Sequence, residues 1–521
     1  MVDAREYHER SSHSPESVRR NDFSLDFDNK PRPYKVYEDR GYVEPPDGPD
    51  TSKSPDTTAS PASPETPALD AIATTSAEPE FDADSDLDFA TLHALCHYAA
   101  GVTKTLEKRG RRMRFRAASC TGKLYHVDLY VVTGDLDGLD AGVYHFDPDS
   151  GGFDVLREGD FRGVLAAASG GHDGVADAPV TVVATSEWWR NAWKYRERTY
   201  RHAFWDSGTM LANLLAVAHG DGYRASVVTG FDDDRVAALL GVDPSEEAPV
   251  ELVPLGSGQP TPDPRHVPAI DPEEAPLSEN PIDYPLNADA WRQSALRDAD
   301  AVRDWRATVE DANDLGTHGV GDGELVELDP VDRETASSRP LGTTIRRRGS
   351  LREYGHDAIS DRLFATVLDR ALRGAPLDCL GASGTQRVLD CYCLVHAVDG
   401  VPGGAYQYHP DERVLERVGD TDRRTAGHLA LDQGVVGDAA ANVYLLADVD
   451  RLHDVAGNRG YRVAQLAGGI ALGRLYLATY AHRALGGRGF TFYDDRVTAH
   501  LSPRAAGQAP MTLFAFGKPE K

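Results

Sequence analysis

Lysine is almost missing from this chain of 521 residues: nine lysines stand against 83 acidic residues, and arginine carries nearly all of the positive charge. The formal charge of −28 at pH 7 leaves no basic footprint for nucleic acid and would be repelled by an anionic bilayer. No run is long and apolar enough to span a membrane, and MVDAREYHERSSHSPESVRR at the start lacks the apolar segment of a secretory signal. A cytoplasmic location is therefore expected. Cysteine is sparse and odd in number: Cys96, Cys120, Cys379, Cys391 and Cys393 contain neither a CxxC pair nor a histidine at zinc-ligand spacing. They read as reduced intracellular thiols, with no metal expected. Acid in excess with so little lysine suggests a halophilic cytoplasm, where screening removes the cost of self-repulsion. No GxGxxG follows a strand, so a nicotinamide cofactor would have no Rossmann domain of its own.

What is present divides the chain. Residues 1–43 read as an N-terminal arm, and 44–84, dominated by Pro, Ser, Thr, Asp and Ala, read as a disordered linker with too few large apolar side chains to offset ordering entropy. Residues 85–256 form a first domain. A Pro-rich, acidic linker at 257–335 carries one helix within NADAWRQSALRDADAVRDWRATVEDAN, and 336–519 form a second domain.

The two domains resemble each other. Asp128-Leu129-Tyr130 aligns with Asp390-Cys391-Tyr392, Gly142-Val143-Tyr144 with Gly404-Ala405-Tyr406, Arg198-Thr199-Tyr200-Arg201 with Arg459-Gly460-Tyr461-Arg462, and Phe231-Asp232-Asp233 with Tyr493-Asp494-Asp495. All four fall at one offset of about 262 positions, a periodicity that marks an internal repeat. In each half a helical lead-in precedes a Val- and Tyr-rich run, a turn, a second apolar strand and a long helix, an order that predicts an α+β class.

Three motifs carry chemistry. Arg347-Arg348-Gly349-Ser350-Leu351-Arg352 combines forked guanidinium donors with a hydroxyl, a set suited to phosphate oxygens. Arg116-Ala117-Ala118-Ser119-Cys120-Thr121-Gly122-Lys123-Leu124-Tyr125-His126 is a small-residue loop ahead of an apolar strand. Trp193-Lys194-Tyr195 precedes Arg198-Thr199-Tyr200-Arg201 and Asp206-Ser207-Gly208, with Asn213 beyond. Together the three resemble the nitroreductase superfamily, specifically its SagB/ThcOx-type (azoline) dehydrogenase branch, over both halves and the N-terminal arm. The family pattern has Pro and Ser where Ser119 and Cys120 stand here, and Pro where His126 stands.

The resemblance implies two nitroreductase-like, FMN-dependent domains that pair as an intramolecular pseudo-dimer, without need of a second chain. It implies that Arg348, Ser350 and Arg352 grip the FMN phosphate, with Gly487, Arg488 and Gly489 beside them and Arg116, Ser119, Cys120 and Gly122 opposite. It nominates Lys194 and Tyr195 as the catalytic acid/base pair of a hydride transfer between flavin and a small-molecule or modified-peptide substrate. The mirror site lacks an Arg-x-Ser-x-Arg element, would face Gly381-Ala382-Ser383-Gly384, and has Val455 and Ala456 where Lys194 and Tyr195 stand, so one FMN per chain is expected. The alternatives are an NAD(P)H-dependent nitro or quinone reductase, or a flavin-free scaffold subunit of a peptide-modifying complex.

Overall fold

The computed structural model describes residues 2–46, 61–74, 87–108, 110–332, 339–381 and 384–520. Its strands are β1 (Gly41–Val43), β2 (Val102–Lys108), β3 (Arg111–Arg116), β4 (Val127–Thr133), β5 (Gly142–Phe146), β6 (Phe153–Glu158), β7 (Val180–Glu187), β8 (Glu247–Leu255), β9 (Leu325–Glu327), β10 (Asp390–Val395), β11 (Gly404–His409), β12 (Val414–Gly419), β13 (Ala441–Ala447), β14 (Gly486–Phe490) and β15 (Ala509–Gly517). They form two antiparallel sheets and a hairpin, β2-β3. The sheet orders are β1-β6-β5-β4-β7-β8 and β14-β15-β13-β10-β11-β12-β9. The central order β6-β5-β4-β7-β8 is thus repeated as β12-β11-β10-β13-β15. Both central strands, VDLYVVT and DCYCLV, are buried along their whole length, which is why they read as continuous apolar runs and not as alternating ones.

The helices that shape the interface between the halves are α1 (Ala4–Ser11), α2 (Ala68–Thr74), α3 (Trp188–Tyr195), α4 (Thr199–Gly220), α5 (Pro285–Gln293), α6 (Leu341–Arg347) and α7 (Val449–Ala481). Almost every residue of α4 is buried, and it runs against α7. Glycines let the two backbones touch. A Cβ built on Gly469 would stand 2.4 Å from the Phe204 carbonyl oxygen, and one on Gly208 would stand 2.5 Å from the Gly469 carbonyl carbon. Backbone atoms cannot yield as a side chain can, so the close approach outweighs the helix propensity that alanine would add. Gly469→Ala is expected to cost about 1–3 kcal/mol, read as a lower urea midpoint with an unchanged m value.

Two buried ion clusters cross between the halves. Arg198 and Arg201 of α4 and its approach bind Asp494 at 3.2 and 2.6 Å, while Arg459 and Arg462 of α7 bind Asp233, both at 2.6 Å. The Arg-x-Tyr-Arg repeat of one half therefore holds the aspartate of the other. This corrects the sequence alignment by one position: Asp233, and not Asp232, is the counterpart of Asp494, and each opens its helix, Asp233–Leu240 or Asp494–Leu501.

The segments before each half also correspond, bond for bond. Arg201 donates to the Ser11 hydroxyl and the His8 carbonyl, as Arg462 donates to the Ser294 hydroxyl and the Trp291 carbonyl. The amide of His13 donates to Asp494 as that of Leu296 donates to Asp233. The one helix expected within 257–335 is in fact two, Pro285–Gln293 and Ala299–Glu310, and the first of them is the structural equivalent of the N-terminal arm, not a plain linker element.

A second correction concerns 44–84. Residues 47–60 and 75–86 lie outside the described residues, but between them α2 packs against α4, α6 and α7 with Ala68, Leu69, Ala71 and Ile72 buried. Pro67 pairs with Pro340, so α2 and α6 enter the interface side by side from equivalent starts. No helix among the described residues is long and apolar enough to cross a membrane.

Candidate functional site

Sites of chemistry in this chain were expected where the halves meet, and one such place collects most of the nominated residues. α3 ends at Tyr195, and Arg196 then takes a positive φ of 49° to turn the chain into α4. Gly457, with φ 60°, makes the same turn inside α7. Across from Tyr195, Gly122 and Lys123 also have positive φ, as does Tyr125, so three of the non-glycine residues in this region of the map stand together. Each such residue costs roughly 1–2 kcal/mol, and strain of this kind gathers where geometry serves a ligand. A Cβ on Gly122 would sit 3.0 Å from the Tyr195 hydroxyl, so the loop and the ring are in direct apposition.

The electrostatics are distinctive for so acidic a protein. The charged neighbours that act on Lys194 are Arg488 and Lys30, those on Lys123 are Arg352 and Lys30, and Arg352 acts on Arg488. Three of the nine lysines are here. None of these five cations has a carboxylate partner among the described residues; four of them rest on aromatic faces instead. Lys30 lies over Trp193, Lys123 over Phe115 at 4.1 Å, Lys194 over Tyr195 at 5.0 Å and Arg488 over Phe490 at 4.8 Å. A cluster of like charges that lacks internal neutralisation is suited to an anionic group from outside.

The same environment splits the two candidate proton carriers. Partial desolvation, then Arg488 and Lys30, lower the Lys194 ammonium below its ordinary range although its tip reaches solvent. Burial, with Asp206 and Cys120 behind it, raises the Tyr195 phenol. Tyr195 is therefore a proton-bearing donor at neutral pH, while Lys194 releases its proton more easily than a free lysine does.

The other nominated residues are placed less uniformly. Arg352 is exposed at the cluster, and Ser350, two positions earlier, is exposed. Arg348 spends its Nε and Nη2 donors on the carbonyls of Arg116, Ala117 and Ala118, tying the second half to the first-half loop. Arg116 points inward: it is buried, and donates to the carbonyls of Val127 and Pro33. Gly487 accepts from the Tyr480 hydroxyl and the Gly489 amide donates to Tyr476. Ser119 uses its carbonyl to accept from Thr209.

Cys120 is turned under the loop, where sequence reasoning missed a hub. Asp206 accepts from the Cys120 thiol at 3.1 Å, from the Thr121 amide and hydroxyl, and pairs with His126 Nε2 at 2.9 Å. His126 Nδ1 lies 2.9 Å from the Ser186 hydroxyl. Asp206 falls inside the motif that begins at Trp193, but its partners lie 80 and more positions away, so spacing carried no signal.

Among the described residues, the mirror position is crossed by a direct contact between the halves. Strand β14 faces the cation cluster, whereas its counterpart, the segment 225–228, is bridged at Val227 directly to Leu377. Asp378 seals this contact by accepting from the amides of Thr229 and Gly230 and from Arg306. Of the opposing loop, residues 382–383 lie outside the described residues.

Comparison with known proteins matches residues 78–257 to the nitroreductase family. The protein named Putative nitroreductase MJ1384 of Methanocaldococcus jannaschii is 24% identical over 166 residues, 32% of this chain and 80% of that protein. The microcin B17-processing protein McbC of Escherichia coli is 27% identical over 134 residues, 25% of this chain and 49% of its own length. The crystal structure of a putative nitroreductase from Anabaena variabilis is similar over the whole of both chains, with a TM-score of 0.77 at 23% identity. The α+β fold of the described residues is therefore nitroreductase-like.

Proposed function

With residues 78–257 forming a nitroreductase-family domain, we propose that the chain is a flavin-dependent oxidoreductase with one FMN site, built where its two halves meet as an intramolecular pseudo-dimer. The observation that carries this reading is the convergence of Lys194 and Tyr195, from the first half, with the acid-free cations Arg352 and Arg488, from the second. The donor set fits FMN: Arg352, Arg488 and Lys123 would hold the phosphate, and the strained loop from Ser119 to Tyr125 would form the opposite wall. Bound FMN supplies the site with a two-electron hydride acceptor or donor.

The protein's own contribution is proton handling and exclusion. Lys194 Nζ takes the proton from one substrate atom as hydride departs from the carbon bonded to it and a double bond forms between the two, or returns that proton in the reverse direction. Tyr195 keeps its proton and donates a hydrogen bond to the substrate heteroatom. Trp193 and the arm beside it cover the site: the Trp193 indole donates to the Asp26 carbonyl, and Phe27 packs edge-on against its ring. Substrates in keeping with this arrangement are heterocyclised peptides with an acidic C–H next to nitrogen, or nitroaromatics and quinones when NAD(P)H supplies the electrons.

The mirror site supports a count of one. Taking Pro67 with Pro340 as equivalent starts, Thr75, Ala77 and Pro79 occupy the sequence positions of Arg348, Ser350 and Arg352. They offer no guanidinium. A flavin-free scaffold is the competing reading, favoured by the engagement of Arg348 with carbonyls and of Cys120 with Asp206.

The test is the absorption spectrum of the purified protein, followed by release and quantitation of flavin. One FMN per chain is expected, and Arg352→Ala should weaken its binding by roughly 10- to 100-fold, the worth of a charged hydrogen bond. A colourless protein that takes up no FMN would leave the scaffold reading standing.

A further inference from the structure

The cluster beneath the loop, Cys120, His126 and Asp206, has the composition and the support of a metal site. One sulfur, one imidazole nitrogen and one carboxylate oxygen lie within 4.8 Å of one another. This is a borderline-soft set of three, from three different elements: the loop, the residue before β4, and α4. In metal sites the ligands are held from behind by a second layer of hydrogen bonds. All three donors have one here. The Ser186 hydroxyl faces Nδ1 of His126 and leaves Nε2 to point at Asp206. The Thr121 amide and hydroxyl fix the Asp206 carboxylate, and the Tyr125 amide donates to the Cys120 sulfur at 3.1 Å. His126 is fully buried and Asp206 nearly so, which excludes competing water from all but one side.

We propose that Cys120, His126 and Asp206 form a three-ligand site for one divalent transition ion of the zinc type, with a fourth position for water. Zinc–ligand bonds of about 2.0–2.3 Å in a tetrahedron set the donors roughly 3.2–3.7 Å apart, so binding lengthens the two contacts to Asp206, now 3.1 Å from Cys120 and 2.9 Å from His126, while all three donors already lie within 4.8 Å of one another. On binding, the Cys120 thiol loses its proton to solvent. A proton on His126 Nε2 moves to Nδ1, where Ser186 accepts it, so the net release is one proton per ion. The ion would pin the strained loop to the helix at the interface. It can occur once per chain, because Ala382, Val388 and Ala467 stand at the corresponding positions of the second half.

The site is independent of flavin. The full-length protein, stripped with a chelator, is titrated with Co2+, whose ligand-field bands lie to the red of any flavin absorption. One equivalent bound at micromolar concentration with four-coordinate bands, displaced by Zn2+, is the expected result. Cys120→Ser, which keeps a hydroxyl for the hydrogen bond to Asp206, should bind at least roughly 100-fold more weakly, as should Asp206→Asn. A folded wild-type protein that binds no Co2+ at micromolar concentration overturns the proposal, and so does binding that is equally tight in Cys120→Ser.

Discussion

Lys194→Ala is expected to lower turnover by about 10²- to 10⁴-fold while the protein keeps its flavin, because the change removes a proton carrier and not a phosphate ligand. The measurement is steady-state turnover of any donor or acceptor the wild type accepts from a panel of nitroaromatics, quinones and azoline peptides, alongside bound FMN. Lys194→Arg should not rescue, since a guanidinium stays charged across the accessible pH range. In the direction of substrate oxidation the active form of Lys194 is the neutral amine. Its ammonium is lowered by desolvation, then by Arg488 and Lys30. The rate should therefore rise with pH, with an inflection below the ordinary lysine value of 10.5. Removing Arg488 should move that inflection upward. Full turnover in Lys194→Ala would mean that the proton travels by another route.

Asp494→Ala should be the most damaging single change to stability, costing about 3–5 kcal/mol, because it leaves Arg198 and Arg201 buried without their counter-charge. Chemical denaturation of wild type and variant measures it. The pH dependence has a definite sign. Arg198 and Arg201 overcome the burial penalty and hold the Asp494 carboxyl well below the usual carboxylate range. The contribution is thus fully present above the unfolded value near 4, and is lost as pH falls toward the folded one. The stability gap between wild type and Asp494→Asn should accordingly narrow below about pH 4. A gap that stays constant down to pH 2 would show that the ion cluster is not its source.

These two residues also show what could be read in the sequence. The paired Arg-x-Tyr-Arg motifs stand out because identity at a fixed spacing is what a linear reading detects, whereas Lys194-Tyr195, with Val455 and Ala456 at the repeat positions, stands out only through the resemblance of its motif to a known family. The partner of each arginine pair was misplaced by one position, since a run of three aspartates, Asp232 to Asp234, offers no internal register. The equivalence of α1 and α5 left only one matching serine, Ser11 with Ser294, because its other bonds end on backbone: the carbonyls of His8 and Trp291 accept whatever side chain they carry. α2 was hidden by length. Seven residues make two turns, too few for a periodicity, and the surrounding Pro, Ser and Thr dominated the composition. At the site, the loop and the arginines were legible as residue types, while the inward direction of Arg116 and the role of Asp206 depend on contacts between segments distant in the chain.

The crossed ion clusters have a consequence for assembly. Each half supplies the counter-ion that the other needs, so neither is complete alone. In a dimer of separate chains such an interface comes apart on dilution. Here a tether of some tens of residues holds the second half at an effective concentration of roughly millimolar whatever the concentration of the protein. The pairing is therefore insensitive to expression level. Once dilution can no longer separate the partners, each face of the interface is also free to change without its mirror image changing with it.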